Sequence, residues 1–153
     1  MTNPVDKFAM PRLASGALFV VGDKILLVRK TYGNCWDITG GYVDRGESPA
    51  SACEREVREE LGLNRTARRL LAHDWAPSDA EGDKLLYIFD CGELGRDEHA
   101  IRLDGTEIDR TEWVTVDDLA HYVIPRLERR LTNTYRAYTS GTILYLEHDE
   151  PRA

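Results

Sequence analysis

The chain has 153 residues, a formal net charge of −7 and a sequence pI near 5.1, with 42% hydrophobic and 31% charged residues. That length accommodates one domain with a substantial core and leaves no room for a second. The acidic balance excludes general affinity for polymeric nucleic acid, since a chain that neutralises many phosphates is basic, and the lack of both an apolar run of about twenty residues and a charged leader excludes a membrane span and a secretory signal.

Residues 1–12 contain Pro4 and Pro11 and little periodicity, and read as an N-terminal arm. Ser15–Val21 and Lys24–Arg29 are continuous apolar, β-branched runs separated by Gly22-Asp23, which predicts a hairpin of central strands covered on both faces. Lys30–Asp37 reads as a polar, aromatic loop feeding the pair Gly40-Gly41. Tyr32 and Trp36 in that loop are candidate substrate-binding residues, able to stack on a base or pack beside a ribose. The competing reading for Trp36 is an anchor for the following strand.

A helix is expected from Pro49 to Leu61, with Ser48 as N-cap, Pro49 at the first helical position and Gly62 as the left-handed stop. At 100° per residue Ala50, Cys53, Val57 and Leu61 form one apolar stripe, and Glu56, Glu59 and Glu60 fall on the flank beside it. Carboxylates three and four apart repel by a few tenths of a kcal/mol per pair, roughly. A hard divalent cation, which prefers carboxylate and carbonyl oxygen, offsets that repulsion. A solvated Glu-rich face with plain i,i+4 pairs such as Glu54–Arg58 and Arg55–Glu59 is the alternative.

After this helix, the segment 66–75 has weak alternation and is expected to be an edge strand, Ala76–Asp83 a polar loop able to close over a ligand, and Lys84–Cys91 a strand. Gly92–Asp104 is charged and irregular, with a short strand expected around Ile101 and Leu103. Glu112–Val116 reads as a strand that leads into a helix start at Asp117-Asp118-Leu119. Ile124–Ala137 carries Ile124, Leu127, Leu131 and Tyr135 at helical spacing, and its Arg126, Arg129, Arg130 and Arg136 read as an anion patch or, more commonly for such a run, a solvated face. Gly141–Leu146 is the last expected strand; 13–147 then forms the single domain and 148–153 a frayed C-terminal tail. Alternating strands and two helices give an α/β layered domain.

Cys35, Cys53 and Cys91 are widely spaced, without a CxxC pair, so neither zinc nor a disulfide framework is indicated and a reducing, cytoplasmic compartment is expected. His73, His99, His121 and His148 share no spacing and are read as non-catalytic. Sixteen Arg against four Lys suggests a GC-rich bacterial genome.

The segment Gly41–Leu63 follows a pattern of Gly, five residues, Glu, seven residues, then Arg-Glu-aliphatic-any-Glu-Glu-any-Gly-aliphatic. Gly41, Glu47, Arg55, Glu56, Val57, Glu59, Glu60, Gly62 and Leu63 fill its positions. It resembles the Nudix box, and on it the chain is identified as a member of the Nudix hydrolase family. The resemblance implies a Nudix fold, a mixed β-sheet sandwiched between α-helices, and a metal-dependent hydrolase that cleaves the diphosphate linkage of a nucleoside diphosphate joined to another moiety.

By the same resemblance Mg²⁺ or Mn²⁺ is the cofactor, held by Glu56, Glu60 and the backbone carbonyl of Gly40, with Glu59 a ligand directly or through water. Arg55 orients the carboxylates through Glu47. The proton acceptor is Glu56 in some relatives and an acid outside the box in others. Glu107, ahead of the Trp113-Val114 strand, matches an acidic position that faces the metal site in relatives, against the alternative of an ordinary exposed Glu. Thr39 stands where many relatives have Pro. Partners implied are a small nucleotide derivative and a second copy in a homodimer. Two other readings belong to the same resemblance: a ligand-sensing regulatory module, which typically loses box carboxylates kept here, and an isopentenyl-diphosphate isomerase, which needs a further catalytic Cys and Glu, with Cys35 near the box.

Overall fold

A computed structural model describes residues 7–152. Its strands are β1 (Arg12–Leu18), β2 (Val20–Val21), β3 (Lys24–Lys30), β4 (Trp36–Asp37), β5 (Thr39–Tyr42), β6 (Leu70–Ala76), β7 (Lys84–Asp90), β8 (Ile108–Thr115), β9 (Leu144–Glu147) and β10 (Glu150–Pro151); its α-helices are α1 (Pro49–Leu61) and α2 (Pro125–Ser140).

The larger sheet runs β10-β9-β6-β7-β1-β5, and the smaller one joins β2, β3 and β4, with β8 also on β3. Pairing is mixed. β1 is parallel to β7 and antiparallel to β5, and β6 is antiparallel to β7 and parallel to β9. Successive residues of β1, β3 and β7 enter two different cores. Leu18, Leu27 and Ile88 join a cluster that includes Leu131 and Ala137 of α2. Ala17, Leu26, Val28 and Phe89 join another with Cys53, Val57 and Leu61 of α1. Burial on both sides is the reason these strands are apolar without alternation. The α/β fold expected from the sequence is the one observed, with the sheet layer between helices.

Local signals at α1 act as expected. The Ser48 hydroxyl accepts the Ser51 N–H at 3.1 Å, and Gly62, at φ 69°, donates its N–H to Arg58 O at 2.9 Å. The hairpin expected of Ser15–Val21 with Lys24–Arg29 is realised only at Val20–Val21, which pair with Ile25 and Lys24 across the Gly22-Asp23 turn; Ser15–Leu18 belong to β1, which pairs with β5 and β7 in the other sheet. Elsewhere the structure departs from the sequence reading. Segment 66–75 was expected at a sheet edge, but β6 lies inside the sheet, because β9 returns parallel to it. Ile101 and Leu103 form no strand; they pack partly against the α1-side core after a 3-10 turn at Gly95–Ala100. Asp117-Asp118 opens a 3-10 turn, Val116–His121, instead of an α-helix.

Of the expected arm, 1–12, residues 1–6 lie outside the described residues, and Arg12 already belongs to β1. In place of a frayed tail at 148–153, β10 folds back on β9 through His148 and Asp149, both at positive φ. Asp149 is buried; its side chain accepts from Arg129 Nε at 2.5 Å, and its carbonyl accepts from Asn133 Nδ2 at 2.9 Å. Arg130 likewise leaves the solvated face predicted for it and donates from Nε to the fully buried Asp74 at 2.6 Å.

Candidate active site

α1 presses its acidic flank against β5 at the glycine pair. Neither glycine needs a positive φ; both are required by proximity. A Cβ on Gly40 would lie 2.2 Å from Ser15 O of β1, and one on Gly41 would lie 2.5 Å from Glu56 Oε1. Both distances are far inside van der Waals contact, so the pair brings the β5 backbone against the Glu56 and Glu60 carboxylates.

Glu60 is 2% exposed; its Oε1 accepts the Gly40 N–H at 2.9 Å and Lys30 Nζ lies 3.5 Å from Oε2. Burial pushes its carboxyl up to about 7, against the pull of Lys30 and the Gly40 N–H and with help from neighbouring Glu56. Glu56, also buried, is raised in the same direction by desolvation, against Arg55, with Glu59 and Glu107 adding repulsion. Arg55 is the hub. It donates from Nε to both Glu47 oxygens at 3.1 and 3.2 Å, from Nη2 to Glu47 Oε1 at 2.6 Å and Tyr42 O at 3.0 Å, and from Nη1 to Glu56 Oε1 at 2.9 Å and Glu59 Oε2 at 3.2 Å. Those bonds, with the Asp44 N–H, hold the Glu47 carboxyl down at about 2. Arg55 orders the box acids, and it does so through direct contact with Glu56 as well as through Glu47.

Among the described residues, no three acidic, histidine or cysteine side chains already converge into a metal cage. The donor set nonetheless fits a hard divalent cation. Glu56 and Glu60 are buried carboxylates raised by desolvation despite the protein's own cations, and the backbone of the glycine pair runs directly beside them. Glu59 is half in solvent, which suits a ligand acting at the rim or through water. Glu107 is exposed, and its negative charge reaches Glu56; its carbonyl accepts the Thr31 N–H at 2.9 Å, which ties its loop to the end of β3.

Beside the glycine pair opens a cleft of about 750 Å³ between the two sheets, closed off by the start of α2. Trp36 and Tyr32 both line it. Trp36 is half-buried and stands edge-on to Tyr122, with ring centroids 5.6 Å apart, so it serves as wall and anchor at once, whereas Tyr32 is largely exposed at the mouth. Ala76, Ser78, Glu81 and Lys84 also line the cleft, so the loop expected to close over a ligand does border it. Cys35 is exposed at the cleft and free. The sequence reading missed Lys30, Asp37, Tyr122 and Arg130 as lining residues. Lys30 and Asp37 bound the loop that holds Tyr32 and Trp36, whereas Tyr122 and Arg130 are brought in by packing of distant chain.

The NUDIX domain family matches residues 10–138. Among curated proteins, the chain is 29% identical over 121 residues to a putative 8-oxo-dGTP diphosphatase of Bacillus subtilis (strain 168), covering 77% of each. It is 33% identical over 106 residues to the nucleoside triphosphatase NudI of Escherichia coli O81 (strain ED1a), covering 61% of this chain and 71% of that one. Among solved structures, a UDP-X diphosphatase superposes with a TM-score of 0.73 at 22% identity, over 94% of this chain and 70% of the other, a likeness of fold.

Proposed function

Because the chain belongs to the Nudix family of pyrophosphohydrolases, we propose that it is a divalent-metal-dependent enzyme that hydrolyses a phosphoanhydride bond in a nucleoside diphosphate joined to another group. The observation that carries this reading is the pair of buried carboxylates Glu56 and Glu60 set against the glycine pair, beside an open cleft that the same glycines line. Glu56, Glu60 and the Gly40 carbonyl would hold Mg²⁺ or Mn²⁺, with Glu59 at the rim and Glu107 a further ligand. The ion supplies charge neutralisation at the phosphates and a lowered pKa for water.

The chain's own residues do the rest. Arg55 fixes the Glu56 and Glu59 carboxylates and is itself fixed by Glu47, so the acids are oriented before substrate arrives. Lys30, beside Glu60 and lining the cleft, offers a positive charge to a phosphate. Trp36 and Tyr32 border the volume left for the nucleoside. The acceptor of the water proton is Glu56 or an acid outside the box. A reducing, cytoplasmic setting is part of the proposal and is supported by the three free cysteines.

The test is substitution of the two buried acids. Glu56→Gln and Glu60→Gln are each expected to lower Mg²⁺-dependent hydrolysis by at least about a hundredfold, the scale of a lost metal or base contribution, with retained folding by circular dichroism. Wild-type rates in both folded variants would refute the assignment.

A further inference from the structure

The cleft is lined by two charged side chains, Asp37 and Arg130, to which the proposed reaction gives no role. Asp37, the last residue of β4, lines it only three positions from Gly40, a span of about 10 Å in extended chain. Its Oδ1 accepts the Ile38 N–H at 2.7 Å. Among the described residues its Oδ2 has no partner.

Arg130 of α2, which lines the same cleft, is 9% exposed and commits only Nε, to Asp74. Among the described residues its two Nη nitrogens have no partner either. Buried polar atoms sealed off without a partner are Ser15 Oγ and His73 Nε2, so Oδ2 of Asp37 and the Nη atoms of Arg130 keep access to the cleft they line. Desolvation raises the Asp37 carboxyl despite the Ile38 N–H and the charges of Lys30, Arg130 and Lys84, the mark of a carboxylate short of hydrogen bonds. Trp36, next to Asp37 in the chain, and Tyr122 also line the cleft and supply aromatic surface.

An acceptor held by the Ile38 N–H and a double donor held by Asp74, lining one cleft with aromatic side chains, suit a flat heterocycle with polar edges. We propose that Asp37 and Arg130 read the base edge of the substrate and select a guanine-type base, whose adjacent N1–H and exocyclic amine meet the Asp37 carboxylate while its O6 accepts from Arg130. Other bases fit less well. Cytosine turns the lone pairs of N3 and O2 toward a carboxylate that accepts its amine, uracil offers a single N–H between two carbonyls, and adenine has one amine beside ring nitrogens that only accept. Sites built to hydrogen-bond a polar substrate group reject analogues that leave their own polar atoms unpaired.

The inference rests on the proposed hydrolysis, and its test separates the two. Wild type and Asp37→Asn are assayed with Mg²⁺ on nucleoside triphosphates and nucleoside diphosphate glucoses carrying guanine, hypoxanthine, adenine, uracil and cytosine. For whichever series is cleaved, wild-type kcat/KM is expected to favour guanine by about tenfold or more, with hypoxanthine, which lacks the exocyclic amine, in between. Asp37→Asn keeps an oxygen for the Ile38 N–H and is expected to erase the preference mainly through KM for the guanine substrate. Inhibition of wild type by GMP and IMP reads the same contact without a variant, and GMP is expected to bind more tightly. A wild type indifferent to the base, a guanine preference that survives Asp37→Asn, or IMP inhibiting as well as GMP overturns the assignment of Asp37. Failure to cleave any member of either series instead overturns the proposed hydrolysis.

Discussion

Two charge clusters with buried members, one at each helix, lie in the same small domain and are built on opposite principles. On α2, Arg129 and Arg130 meet Asp149 and Asp74, and the count of positive and negative groups balances. On α1, Glu47, Glu56, Glu59 and Glu60 share Arg55 and Lys30, so four carboxylates face two cations. Asp44 and Glu150 at the exposed rims only widen each set slightly. The balanced cluster ties the C-terminal hairpin and α2 to β6. The unbalanced one holds a negative excess in place, which is useful only to something that brings positive charge. Burial and ion pairing do not by themselves mark a functional site; a charge deficit held in fixed geometry does.

That contrast can be broken at its balanced end first. Asp74→Asn leaves Arg130 without its carboxylate in a buried position, and is expected to cost about 3 kcal/mol or more of unfolding free energy, read by urea titration of the metal-free protein. A loss under about 1 kcal/mol would mean the α2 cluster is as dispensable as a surface pair.

At the unbalanced end the sign reverses. The Glu60 carboxyl rises from an ordinary 4.5 to about 7 in the folded protein, so the native state binds a proton more tightly than the unfolded chain between those values. Its contribution to stability is fully present below pH 4.5, is lost as pH rises toward 7, and is flat above, a span on the order of 3 kcal/mol. The metal-free protein is therefore expected to lose stability across that window. Glu60→Gln should flatten this part of the profile and be the more stable of the two at pH 7.5, while Mg²⁺ should stabilise wild type at that pH more than it stabilises the variant. Thermal melts across pH, with and without Mg²⁺, check all three outcomes.

The smallest expected effect sharpens the same comparison. α1 is capped by Ser48, whereas α2 starts at Ile124 with no side-chain cap. Ser48→Ala is expected to cost about 1 kcal/mol in the urea titration. Larger losses in activity than in stability would show that the cap also sets the registry of the box acids.

What could be read from the sequence was what lies close together along it. The α1 boundaries were legible because Ser48, Pro49 and Gly62 act on their own backbone, and the box acids because one helix carries Arg55, Glu56, Glu59 and Glu60 within two turns. The contact of Glu60 with Lys30 spans thirty residues, and Arg130 with Asp74 spans fifty-six. Neither has a local signature. Arginines on a helix look alike whether they face water or a buried aspartate, so Arg130 read as a solvated residue. The turn at His148-Asp149 lacked a glycine or asparagine signal because tertiary bonds from Arg129 and Asn133, not backbone preference, hold it. The glycine pair was recognised, and the structure supplies the reason for it: room for Ser15 O and for Glu56.

The position of β6 bears on how the chain assembles. β6 ends at Ala76, and the strand that covers its free edge, β9, begins only at Leu144. During synthesis α1 is thus made long before the open edge of β6 is closed, and until α2 and the terminal hairpin arrive β6 offers an open row of backbone groups to any neighbouring chain. Productive folding must wait for the last part of the domain, which makes premature termination within α2 a route to aggregation rather than to a smaller working enzyme.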